Sequence, residues 1–105
     1  GRHNDGVNIK VAEGTAVRAA ENGVVAYAGN ELKGFGNLLL IKHADGWITA
    51  YAHNKQLLVK RGQTVRRGQP VAKAGKTGGA KESQLHFEIR KGTKAVDPLL
   101  YLERR

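Results

Sequence analysis

The chain has 105 residues, 40% of them hydrophobic and 26% charged, which is the composition of one globular domain with a modest core. It has no cysteine, which excludes disulfides and thiolate metal sites, and its sequence holds no apolar run long enough to cross a membrane as a helix. A formal net charge of +9 predicts salt-sensitive attraction to polyanions, yet 6% aromatic residues are too few for a single-strand stacking platform, so nucleic acid is not an expected partner.

Fourteen glycines punctuate short apolar runs, the pattern of an all-β domain. Taken in chain order, strands are predicted over 15–19, 23–28, 37–43, 47–53, 56–59, 70–74 and 85–90. The run Leu38, Leu39, Leu40, Ile41 lacks polar alternation and predicts a central strand covered on both faces. Ala44, Asp45 and Gly46 then form a short hairpin connection. Near the end, Asp97 as N-cap and Pro98 at the first helical position predict one helical turn over 97–102, laid on the sheet through its leucines. Gly1 stands at the edge of a motif, so residues 1–105 are expected to be one domain cut from a longer protein, with any targeting segment upstream.

One internal repeat is legible. Gly14-Thr15-Ala16-Val17-Arg18 leads to the strand from Gly23 to Gly29, and Gly62-Gln63-Thr64-Val65-Arg66 leads to the strand from Pro70 to Gly75. Two such hairpin units folded together predict a small antiparallel sandwich or partly closed barrel. Biotinyl and lipoyl carrier domains share this style of repeat. Their modified lysine at a hairpin tip has no counterpart here.

Four histidines are the candidates for chemistry: His3, His43, His53 and His86. Period two in the strand 47–53 predicts that Trp47, Thr49, Tyr51 and His53 share one face. In the strand around 85–90, Leu85, Phe87 and Ile89 point to the core, while Gln84, His86, Glu88 and Arg90 share the polar face. His43, beside the Asp45–Gly46 turn, is expected to be exposed.

Three segments resemble the LytM-type, lysostaphin-like zinc metallopeptidases. Asn4-Asp5-Gly6-Val7-Asn8 is similar to the family's His-x-Gly-x-Asp pattern. Tyr51-Ala52-His53-Asn54 resembles its Tyr-x-His strand, and Gln84-Leu85-His86-Phe87-Glu88 its His-x-His-Phe-Glu strand. Gly34-Phe35-Gly36-Asn37, the two glycine segments of the repeat's second half and Val96-Asp97-Pro98 extend the resemblance over nearly the whole chain. It implies the LytM fold.

The departures decide what the resemblance implies about activity. Asn4 stands where the first zinc-binding histidine is expected, Asn8 where the aspartate is expected, and Gln84 where one catalytic histidine is expected. His86, a zinc ligand in the family, and His53, a catalytic histidine there, remain. A hydrolytic zinc needs three protein ligands and an activated water. Neutral amides bind zinc weakly and cannot act as general bases. The expectation is therefore no metal, no cofactor and no hydrolysis. A slip of His3 into the place of Asn4 would still leave Asn8 and Gln84 unrepaired.

The resemblance is strongest to the degenerate, DipM-like members of the family that serve Gram-negative cell division, the EnvC and NlpD type of amidase activator. It implies a periplasmic domain that activates an N-acetylmuramoyl-L-alanine amidase at the peptidoglycan. The partner would enter a groove formed by Asn4, Asn8, Tyr51, His53, Gln84 and His86. The alternatives are a peptidoglycan-binding module without partner activation and a residual zinc endopeptidase using His3.

Overall fold

The computed structural model describes residues 6–91 and the backbone of 94–96; the predicted helical turn at 97–102 lies outside them. The strands are β1 (Val7–Lys10), β2 (Ala16–Arg18), β3 (Gly23–Gly29), β4 (Asn37–Lys42), β5 (Trp47–Leu57), β6 (Thr64–Val65), β7 (Pro70–Ala74), β8 (Gln84–Lys91) and β9 (Lys94–Val96). All pairings are antiparallel, in the order β1-β8-β5-β4-β3-β6, with β9 on β8 and the β2–β7 pair joined through β5. The path ends at β1 and β6, so the sheet stays open. Helical structure among the described residues is one 3-10 turn, Ala44–Gly46.

The repeat folds differently from the expectation of two self-contained hairpins. β2 pairs with β7, and β6 pairs with β3, so each short strand of one unit binds the long strand of the other. The reciprocity extends to the turns. Gly14 N–H donates to Ala74 O and Gly62 N–H to Val25 O, both at 2.8 Å. Both glycines sit at positive φ, 88° and 89°, where a side chain would be strained. The two units thus close each other.

Folding β2 and β7 over the main sheet encloses the core. Val17, Val25, Leu39, Ile41, Tyr51, Val65, Val71, Phe87 and Ile89 meet there. β4 is covered on its other face as well, where Leu38 packs with Ala50, Ala52, Tyr27, Phe35 and Leu40. The predicted two-sided burial of this run is therefore found, with Leu40 only half-buried.

The two strands predicted over 47–53 and 56–59 are largely one strand, β5. It pairs with β4 and β8 in its first half and with β7 from Asn54 onward. The change of partner happens at a bend marked by His53, whose φ is +67°, and by a register shift between Asn54 and Gln56. Such a bulge adds a residue and re-aims the side chains after it.

Candidate functional site

β1 and β8 bring the first two site residues together. Asn8 and His86 are register partners, and Asn8 Oδ1 lies 2.6 Å from His86 Nδ1. The other ring nitrogen, Nε2, donates to Glu88 Oε2 at 2.7 Å. Glu88 Oε1 accepts from Arg90 Nε at 2.9 Å and pairs with its Nη2 at 2.6 Å. The polar face predicted for β8 is thus a linked row, His86–Glu88–Arg90, along alternate residues. Glu88 is buried at 3% exposure. Burial pushes its carboxyl up, but the hydrogen bonds and charges of His86 and Arg90 outweigh it and hold the group below the usual carboxylate range.

His53 joins from β5. Its ring lies 6.1 Å from that of His86, centroid to centroid. The alternation expected for 47–53 does not carry through. Thr49 and Tyr51 face the core, with Tyr51 at 1% exposure. The left-handed backbone at His53 breaks period two and parts it from Tyr51, leaving its ring beside His86. Tyr51 therefore does not line the groove. Its hydroxyl accepts from Ala20 N–H at 3.0 Å and bonds Thr49 Oγ1 at 2.7 Å. Thr49 in turn meets His43 Nε2 at 2.7 Å, and His43 Nδ1 donates to Asn22 O. His43, expected to be exposed, is half-buried in this chain of hydrogen bonds.

A polar knot below the site fixes His53. Its Nδ1–H donates to Thr77 O at 2.8 Å, and its backbone N–H to Phe35 O at 2.8 Å. Thr77 Oγ1 donates to Asn54 O and accepts from Asn37 N–H. Asn54, fully buried, donates to Asn37 O and Tyr51 O. The loops carrying Phe35 and Thr77 touch backbone to backbone. A Cβ on Gly78 would stand 2.3 Å from Gly36 N, so only glycine allows this approach. Sequence reasoning places Phe35, Asn37 and Asn54 only within motif segments and gives them no role at the site, and it passes over Thr77; the glycines on either side of Phe35 and the pair Gly78-Gly79 after Thr77 are the available signal.

Gln84 begins β8, two residues before His86 on the same predicted face, and is half-buried. His3 and Asn4 lie outside the described residues. An apolar hollow of about 240 Å³ adjoins His86, lined by Leu32, Phe35, Leu38, Leu40 and Ala50 beside the His86–Glu88–Arg90 row.

The donor set does not fit a hydrolytic zinc. Nε2 of His86 is committed to Glu88, and Nδ1, the remaining ring nitrogen, is covered by an uncharged amide. No group of three His, Cys, Asp or Glu side chains converges among the described residues. Asparagine can present its oxygen to a ring N–H or its NH₂ to a bare ring nitrogen, so Asn8 satisfies His86 in either protonation state. Among the described residues the arrangement is suited to hydrogen bonding.

Residues 2–98 match Peptidase family M23. The chain belongs to this family. It is 49% identical over 110 residues to the cell division protein DipM of Caulobacter vibrioides, a match covering 99% of this chain and 18% of that protein. It is 48% identical over 102 residues to the murein hydrolase activator NlpD of Escherichia coli, covering 97% and 27%. With the lipoprotein YgeR of the same organism it shares 50% over 99 residues, covering 94% and 39%. The chain thus spans well under half the length of these relatives. Among solved structures, the catalytic domain of lysostaphin from Staphylococcus simulans superposes with a TM-score of 0.90 at 30% identity, covering 95% of this chain and 79% of that one. An M23 scaffold is therefore kept around a site with amides at positions 8 and 84.

Proposed function

We propose that this M23 domain does not hydrolyse peptidoglycan but binds and activates an N-acetylmuramoyl-L-alanine amidase in the Gram-negative periplasm. The observation that carries the proposal is the direct Asn8–His86 hydrogen bond, which occupies the ring nitrogen a metal would need. The name of NlpD, murein hydrolase activator, and that of DipM, cell division protein, support the activator role and the cellular setting. The lipoprotein names of other relatives support an envelope location.

The proposed partner surface is the groove of Asn8, His53, Gln84 and His86, with Asn4 added from the sequence pattern, and it continues into the apolar hollow at Phe35. A partner segment held there by hydrogen bonds and one apolar contact would be withdrawn from its own enzyme, shifting that enzyme toward an open state. Release of dye-labelled fragments from peptidoglycan by a purified amidase, with and without the domain, tests this. Stimulation is expected, and it is expected to be lost in Gln84→Glu and Asn8→Arg with little change in melting temperature. Stimulation by both variants equal to wild type overturns the groove assignment.

A further inference from the structure

We infer that a second surface, at the β3–β6 end of the sheet, binds the carboxylates of the peptidoglycan meshwork independently of the His86 groove. The inference rests on the reading that the domain works at the cell wall. Three guanidinium groups meet at the turn after β6, two from the turn itself and one reaching it from the end of β2. Arg66 and Arg67 are exposed there, and Arg18 Nη1 donates to Gly68 O at 3.0 Å. The turn is fixed from below: Arg66 N–H donates to Gln69 Oε1 at 3.0 Å and Arg67 N–H to Asn22 Oδ1 at 2.8 Å. The backbone is held while the charged ends of Arg66 and Arg67 stay at the surface.

Some basic side chains find carboxylates, namely Arg90 with Glu88, Lys10 with Glu82 and Lys55 with Glu13. Arg18, Arg66 and Arg67 pair with no carboxylate among the described residues. More positive charge adjoins them. Lys42, Val24 and Thr64 are register partners across β4, β3 and β6, all exposed, and Lys60 and Arg61 occupy the exposed turn before β6. An open hollow of about 660 Å³ lies between residues 22–24 and 64–67.

Guanidinium forks match planar carboxylates in two parallel hydrogen bonds, which free stem-peptide carboxylates of the wall offer in quantity. A lipid surface fits less well. Stable interfacial docking uses large apolar or aromatic side chains, and of the exposed large hydrophobics, Ile9, Val24, Leu32 and Leu58, Val24 alone lines this hollow. β6 is four strand positions from β8, about 19 Å at ~4.8 Å per strand, so wall and partner can be held together.

Co-sedimentation with purified sacculi tests the inference. The double variant Arg66→Glu/Arg67→Glu is expected to lose at least about tenfold in affinity at low salt, since each basic residue near an anionic surface contributes roughly fivefold. The neutral Arg66→Gln/Arg67→Gln variant should fall between it and wild type. Sacculi whose carboxylates have been amidated with carbodiimide and ammonia should bind wild type as weakly as native sacculi bind the double variant. Gln84→Glu should bind native sacculi as wild type does, and the double variant should still stimulate the amidase on soluble wall fragments. Undiminished binding by either arginine variant, or to amidated sacculi, overturns the inference. Equal competition by phosphatidylglycerol vesicles assigns the surface to lipid and overturns it too. A wild-type domain that fails to stimulate any amidase defeats the proposed function and leaves the sacculus result standing.

Discussion

Asn8 and His86 lie opposite each other on β1 and β8, and their side chains meet at 2.6 Å. An aspartate and a histidine placed this way around a cation would point their lone pairs at it. The amide instead bonds the ring, and the site closes on itself. Around it the supporting structure persists: Glu88 on the far nitrogen of His86, and Thr77 on the near nitrogen of His53. A carboxylate behind a histidine and a carbonyl behind another are the partners that orient metal and catalytic imidazoles.

The first prediction concerns metal. The purified domain is expected to hold no stoichiometric zinc after dialysis against zinc and then buffer. Elemental analysis reads this directly. One equivalent that disappears in His86→Ala would mean that Asn8 yields to a metal, and the non-hydrolytic reading would fail. Because Glu88 already orients His86, the triple change Asn4→His, Asn8→Asp and Gln84→His is expected to gain zinc affinity.

The second concerns pH. The folded Glu88 carboxyl lies below its ordinary value of 4.5, because His86 and Arg90 outweigh its burial. A depressed carboxyl contributes stability that is full above the unfolded value and is lost as pH falls through the folded one. Thermal melts from neutral pH downward should therefore show a steep loss below about 4.5, shallower in Glu88→Gln. At neutral pH, Glu88→Gln should cost about 2–4 kcal/mol, since it removes the charge from a buried, hydrogen-bonded row. An acid limb identical in the variant would assign the loss to other carboxylates.

Much of this molecule was legible in its sequence, for a physical reason. Strand alternation separates Leu85, Phe87 and Ile89 from His86, Glu88 and Arg90, and the fold keeps that separation. The same rule misplaced Tyr51. It assumes an unbroken pleat, and the left-handed residue at His53 breaks it. No residue type announces that break: the left-handed His53 accompanies hydrogen bonds to Phe35 O and Thr77 O, which come from loops distant in sequence. The repeat was visible, but not its cross-pairing, since sequence gives the units and not which edges they share.

The third prediction follows from that correction. Tyr51→Phe should leave amidase stimulation unchanged, because the hydroxyl is inside the fold. It should lower stability by about 1–2 kcal/mol, since Ala20 N–H and Thr49 lose a buried partner. Denaturant titration gives the stability, and the dye-release assay gives the activity. A variant of full stability with impaired stimulation would return Tyr51 to the groove.

The last prediction tests whether His53 is held by its surroundings. Thr77→Val removes the hydroxyl that joins Asn54 O to Asn37 N–H while leaving the carbonyl that accepts from His53 Nδ1. The part-buried Asn37 N–H loses its side-chain acceptor, while Asn54 O keeps Asn37 Nδ2, which should cost about 1 kcal/mol. Gly36→Ala acts on the same junction from the other loop. Its φ is +62° and its Cβ would stand 2.5 Å from the Thr77 carbonyl carbon, so it should be at least as damaging. If the knot orients His53, Thr77→Val and Gly36→Ala will both move the His53 ring resonances. Both should also weaken amidase stimulation more than an equally destabilising core change such as Ile89→Val. Resonances that stay in place while stability falls would reduce the knot to a structural clasp, and the groove would owe its shape to β1 and β8 alone.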